Sequence, residues 1–207
     1  MKAIDALSRL QQLHAPVFTT NDAAAAIGIS RPHAAKTLAR LAAANQLMRV
    51  CRGYWAFQDE VDLLVLPGLL AAPAPCYVSL QSALNQHGMI SQIPQRVYAV
   101  STARTRDIET PLGCVSLHHV CPSFCVGFEI VPTSGLAMAT PEKALIDLLY
   151  FSPARSRLFA ILPELELPAD FRHARAMQYI SLINSPGRRQ LVRNRWNEIW
   201  RTHQRDS

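Results

Sequence analysis

The sequence predicts an α+β chain built in two parts, and three observations predict it. The first 58 residues hold three helical patterns followed by a β-prone hairpin. Residues 59–75 are interrupted by Pro67, Gly68, Pro73 and Pro75, which makes them a semi-rigid linker. Residues 76–207 read as one helix, a meander of short strands and then helices. That order predicts a C-terminal α+β domain, a small antiparallel sheet followed by helices.

In the first part, Ile4, Leu7, Leu10 and Leu13 form one apolar stripe, with Ala3 and Ala6 beside them. Pro16 ends that helix, and Val17-Phe18-Thr19 is a short extended piece. Thr20 or Asn21 is positioned to cap a second helix over Asp22–Ile27, because a side-chain oxygen there accepts a free backbone N–H. Gly28 supplies the turn. Ser30 is the expected cap of a third helix, which has Pro32 in its first turn and runs to about Ala44.

The third helix carries the chemistry. At about 100° per residue, His33, Lys36, Thr37 and Arg40 share one arc, while Ala34, Leu38 and Leu41 share another. A basic, hydrogen-bonding face opposite an aliphatic one is what a helix reading a major groove needs. Leu47–Val50 and Tyr54–Phe57 then flank a turn ending in Gly53, a hairpin in the place of a wing. The residues expected to meet DNA are Ser30, Arg31, His33, Lys36, Thr37 and Arg40 on the helix, and Arg49 and Arg52 on the wing.

The charge agrees with this. The chain of 207 residues has 21 basic and 15 acidic side chains, for +6. Residues 1–58 carry +5, residues 59–187 carry −3 and residues 188–207 carry +4. Two basic ends suggest an anionic partner, with nucleic acid the usual one. Apolar residues are 49% and charged residues 17%, which excludes wholesale disorder. No apolar run approaches the roughly 18–20 residues that cross a bilayer. Asp5 and Arg9 within an amphipathic pattern do not suit a signal peptide. A soluble cytoplasmic protein without membrane partners is expected, and its five cysteines are expected to be reduced.

In the second part, Ser79 is placed to cap a helix through His87, which Gly88 ends. Arg96–Ser101, Asp107–Thr110, Cys114–Val120 and Val126–Val131 read as strands. Thr140-Pro141-Glu142 opens another helix, with Asp147 one turn after Lys143. Helical patterns follow over Arg155–Leu162, Asp170–Asn184 and Arg188–Arg201.

Three sets of residues together resemble the AbiEi family, antitoxins of a type IV toxin–antitoxin system linked to abortive phage infection. They are Ile29-Ser30-Arg31 with Arg52-Gly53-Tyr54; Tyr77-Val78-Ser79 with Ser82-Ala83-Leu84 and His87-Gly88; and Ala139–Leu145 with Asp147-Leu148-Leu149. The resemblance spans nearly the whole chain. It implies a winged helix-turn-helix domain over 1–58 that binds inverted repeats in double-stranded DNA and represses the protein's own operon. It also implies an antitoxin domain over 76–207 that counteracts a nucleotidyltransferase-like toxin, by direct contact or without it. A stand-alone winged-helix regulator, with residues 76–207 as a ligand or oligomerisation domain, is the alternative.

Phosphate-cradling, dinucleotide, zinc-protease and nucleophile-elbow motifs are missing. So is the glycine-serine and paired-aspartate signature of the toxin. No catalytic residue and no cofactor are assigned. Cys114, His118, His119, Cys121 and Cys125 crowd into twelve residues, but period 2 puts Cys114 and His118 on one face of a strand and His119 and Cys121 on the other. No metal site is therefore expected. The last helix has Leu191, Val192, Trp196, Ile199 and Trp200 along one side, rimmed by Arg188, Arg189, Arg193, Arg195 and Arg201. It is expected to dock by its tryptophans. The sharper reading makes the arginines a second surface for nucleic acid, RNA included, or one tied to the toxin's substrate.

Overall fold

The computed structural model describes residues 3–57, 61–132, 134–152 and 164–206. The helix expected over Arg155–Leu162 lies outside them. The chain divides into two compact units, Met1–Leu63 with Thr110–Leu112, and Leu64–Glu109 with Gly113–Ser207.

The first unit is three helices closed by a small sheet. Helix α1 spans Ala3–Gln11, and Ala6 and Leu10 are its buried residues. Ile4, expected on the same stripe, is 77% exposed. Leu13 lies past the helix end and packs on the core from its edge. Strand β1 (Val17–Thr19) leads directly into α2 (Thr20–Ile27). The cap of α2 is Thr19 rather than Thr20 or Asn21. Its hydroxyl accepts from Asp22 N at 3.1 Å, and Asp22 Oδ2 accepts from Thr19 N at 2.8 Å, a reciprocal capping box. Thr20 is turned inward and holds the wing instead, as described below.

Gly28 ends α2 at φ 76°, where its N–H reaches the carbonyls of Ala24 and Ala25. Helix α3 runs from Arg31 to Ala43. Strands β2 (Met48–Cys51) and β3 (Tyr54–Ala56) turn about Gly53, at φ 89°. β1 joins β3 to complete the antiparallel order β1-β3-β2. Leu10, Phe18, Ile27, Leu38, Leu41, Leu47 and Trp55 form one core beneath these elements.

The second unit is built on a six-stranded sheet. Its strands are β4 (Cys76–Val78), β5 (Arg96–Ser101), β6 (Arg106–Thr110), β7 (Gly113–His119), β8 (Phe128–Ile130) and β9 (Ala137–Ala139). The spatial order is β6-β7-β5-β4-β9-β8. The α+β class stands, but the sheet is mixed rather than a small antiparallel meander: β5 pairs with β7, and β4 with β9, in parallel. β7 lies between β5 and β6, and both β5 and β7 are buried almost throughout, as strands covered on both faces are. Arg106–Thr110 is polar and takes the edge.

Part of the expected linker folds onto this unit. Leu66–Ala71 forms α4 with Pro67 in its first turn, and Leu66, Leu70 and Ala71 are buried. Arg106 Nη2 donates to the Leu70 carbonyl at 2.7 Å. After β4 comes α5 (Leu80–Gln86). Helix α6 (Pro141–Phe151) is buried on all sides from Glu142 to Leu149, and α7 (His173–Ser181) and α8 (Pro186–Asp206) pack against it. Among the described residues, no helix is long and apolar enough to cross a membrane.

Candidate nucleic-acid interface

Helix α3 is anchored by Ala34, Leu38 and Leu41, the arc expected to face inward. Its other side carries Arg31, His33, Lys36 and Arg40, all exposed. Thr37 is a correction: it is buried at 9% exposure. Its place at the border of the two arcs turns this small β-branched residue toward the helix's packing side, out of reach of a base edge.

Ser30 is exposed and precedes the helix with extended backbone, but its side chain makes no capping bond. Its hydroxyl lies 2.9 Å from His33 Nδ1 instead. The pair sits at the helix N-terminus, the end that usually enters the groove, and it holds the imidazole in one orientation.

The wing is tied down from within. Thr20 N donates to the Gly53 carbonyl at 2.9 Å. Trp55 Nε1 donates to Thr20 Oγ1 at 3.0 Å. Arg49 and Arg52 remain exposed, and the Arg49 guanidinium lies over the Trp55 ring at 5.8 Å from its centroid. Arg9, in contrast, donates to the Ile27 carbonyl at 3.0 Å, where it satisfies the C-terminal end of α2. The first unit therefore displays five exposed cations on α3 and the wing: Arg31, Lys36, Arg40, Arg49 and Arg52.

Of the six arginines of α8, Arg201 and Arg205 are exposed, whereas the four expected to form a second surface, Arg188, Arg189, Arg193 and Arg195, are all partly buried. Arg188 Nη1 donates to the Tyr150 carbonyl at 2.7 Å and lies over the Tyr150 ring. Arg189 Nε donates to the Ile183 carbonyl at 2.8 Å, and Arg195 donates to Ser152 Oγ. Arg193 Nε is buried. Three of the four are thus engaged in holding α8 to the fold, alongside the buried Val192 and Trp196.

The cysteine–histidine run is dispersed. Cys114 and His118 are buried, with His118 against the rings of Tyr98 and Phe151. His119 Nδ1 donates to the carbonyls of Thr102 and Ala103. Among the described residues, no group of three His, Cys, Asp or Glu is placed to hold a metal.

The i,i+4 pair of Lys143 and Asp147 was legible in the sequence, but its complete burial and its partners Ser79 and Tyr77 in the second unit were not. Lys143 and Asp147 form an ion pair with neither side chain exposed. Asp147 Oδ2 also accepts from Ser79 Oγ at 2.7 Å and from Tyr77 OH at 3.1 Å. Ser79 precedes α5 but makes no capping bond, because its hydroxyl is drawn to this carboxylate. Lys143 Nζ lies 3.8 Å from the centroid of the Phe124 ring. Burial lowers the Lys143 pKa from its ordinary value and raises that of Asp147, each partner opposing the shift.

Comparison with known proteins locates the first unit. Comparison with curated proteins gave no match. Among solved structures, that of the antibiotic-resistance factor ANT(2'')-Ia is similar at 9% identity over 69% of this chain and 94% of its own. Its TM-score is 0.33, too low to inform fold or function. A family model described as "Transcriptional regulator, AbiEi antitoxin" matches residues 5–58. The match stops short of the Tyr77 and Ala139 segments. The likeness to the AbiEi antitoxin family of transcriptional regulators is thus shown over residues 5–58, the N-terminal domain.

Proposed function

We propose that the chain is the DNA-binding antitoxin of a type IV pair. In this reading residues 1–58 bind an inverted repeat upstream of the protein's own operon and repress it. Residues 76–207 serve to counter a nucleotidyltransferase-like toxin. The observation that carries the DNA reading is the display of Arg31, Lys36, Arg40, Arg49 and Arg52 on a helix and wing whose opposite sides pack into the core. Arg31, His33, Lys36 and Arg40 face bases, and Arg49 and Arg52 hold phosphates. Ser30 supports His33 from beneath.

The test is a gel shift on the DNA upstream of the gene, against shuffled competitor. Two salt-sensitive shifted species that resist competitor are expected, one for each copy on the repeat. Binding that competitor removes equally well would refute the operator reading. Rescue of cells from the co-expressed toxin tests the second half. A stand-alone regulator with a ligand-binding C-terminal domain is the second reading, favoured by the cleft described next. It predicts regulation in cells that lack any toxin gene.

A further inference from the structure

The second unit holds a cleft of about 340 Å³ at the N-terminal end of α6, a size at the lower end of small-molecule sites. Three features of its wall are unexplained by folding. Glu142 is only 3% exposed. Its Oε1 accepts from Arg172 N at 3.0 Å, while Oε2 is buried with no hydrogen-bond partner among the described residues. Arg172 and Arg175 stand at the start of α7, where cations oppose the helix dipole. Neither guanidinium makes a hydrogen bond or ion pair among the described residues. The apolar part of the wall comes from Ile130, Met138 and Pro141.

The charges select the ligand class. Glu129 and Asp170 also line the cleft, so a simple anion meets three carboxylates and a simple cation meets two guanidiniums. No group of described residues is placed to hold a metal. A molecule with both charges and an apolar body satisfies every part of the wall. We propose that this cleft binds a small zwitterion of the apolar α-amino-acid class. Its ammonium pairs with Glu142, its carboxylate pairs with Arg172 and Arg175, and its side chain lies against Ile130, Met138 and Pro141. The Arg172 N–H orients the Glu142 carboxyl group for that role. His87 forms a fixed wall, since its Nε2–H donates to the Ala139 carbonyl at 2.7 Å.

The experiment is isothermal titration of the full-length chain, without DNA, with L-leucine, L-methionine and L-phenylalanine. Two truncated probes accompany them: 4-methylpentanoate, which lacks the ammonium, and 3-methylbutylamine, which lacks the carboxylate. Saturable binding of at least one amino acid is expected, with each truncated probe at least about tenfold weaker, as for loss of one charged contact. Arg175→Ala should weaken binding about tenfold without lowering the unfolding temperature, because its side chain holds nothing in the fold. Glu142→Gln should do the same, and is read only if its unfolding temperature shows it folded. Absence of binding by all three amino acids overturns the proposal. So does equal binding of either truncated probe, or an unchanged affinity in Arg175→Ala. The readout needs no operator, so it stands or falls separately from the DNA reading.

Discussion

The salt dependence of operator binding can be worked out from the exposed cations of the first unit. Arg31, Lys36, Arg40, Arg49 and Arg52 are exposed, and Arg9 is engaged at the end of α2. If all five lie close enough to the backbone to displace counterions, the three that face bases as well as the two on phosphates, log K falls with log salt at about 0.9 per cation, a slope of about −4.5 for one bound copy. Raising salt from about 50 to 200 mM then weakens binding roughly 500-fold. Two copies on an inverted repeat double the slope to about −9. Arg52→Ala removes one contact from an exposed turn and leaves the core untouched. It should flatten the slope by about 0.9 per copy and weaken binding at every sequence alike. Lys36→Ala should also relax the preference at one base position, by about 1–3 kcal/mol. The assay is fluorescence anisotropy of a labelled operator duplex across a salt series, for wild type and each variant. A wild-type slope near zero, or one unchanged by Arg52→Ala and Arg40→Ala, would refute the assignment of these cations to DNA.

Five further outcomes are expected. Thr19→Ala breaks the capping box with Asp22 and should cost about 1 kcal/mol in urea unfolding. Arg188→Ala and Arg195→Ala should each cost about 1–2 kcal/mol and lower the unfolding temperature by roughly 2–8 °C, so charge reversal across α8 should damage the fold rather than spare operator binding. Lys143→Met should cost about 3–5 kcal/mol by stranding Asp147, and Lys143→Met with Asp147→Leu should cost less than the two singles together. The Lys143 pKa falls below its ordinary 10.5 in the folded state, so the unfolded chain binds its proton more tightly. Wild-type stability should therefore rise relative to that double variant as pH climbs toward 10.5. With a disulfide exchange reagent at mildly alkaline pH, the partly exposed Cys51 and Cys121 should react in the folded protein, while Cys76, whose pKa burial raises to about 12, should react only on unfolding.

Where local chemistry decides, the sequence was legible. The strand over Arg96–Ser101 was placed to the residue, since an apolar run between polar flanks leaves little choice. Thr140 caps α6 as read, its Oγ1 accepting from Lys143 N at 3.3 Å. The cap of α2 was legible too but was misplaced by one residue. Thr19 and Asp22 stand at the capping-box spacing, a stronger signal than proximity to the helix. The neighbour order of the sheet needed a comparison between strands. β5 and β7, which lack the run of charges that β6 carries, belong together inside, and the charged β6 belongs at an edge. The separate strand β9 carries no periodic signal in three residues and was missed.

Tertiary partners decided the rest, and they explain why the two basic ends of the chain fared differently. On α3 a 100° step sorts the residues, because a short helix on a core has one buried face. Only Thr37, at the border of the arcs, went the wrong way. On α8 the same periodicity marks Val192 and Trp196 correctly. It cannot tell an arginine facing water from one whose head reaches a carbonyl 38 residues away, as Arg188 reaches Tyr150. Ser79 shows the same limit: it has the residue type and position of a cap, yet its hydroxyl serves Asp147, 68 residues later. Long polar side chains have enough reach to be claimed by any carbonyl or carboxylate that folding brings near. A basic cluster read from sequence therefore identifies a surface only after its internal acceptors are known. By that criterion the cations of α3 and the wing remain available to DNA, and those that fasten α8 do not.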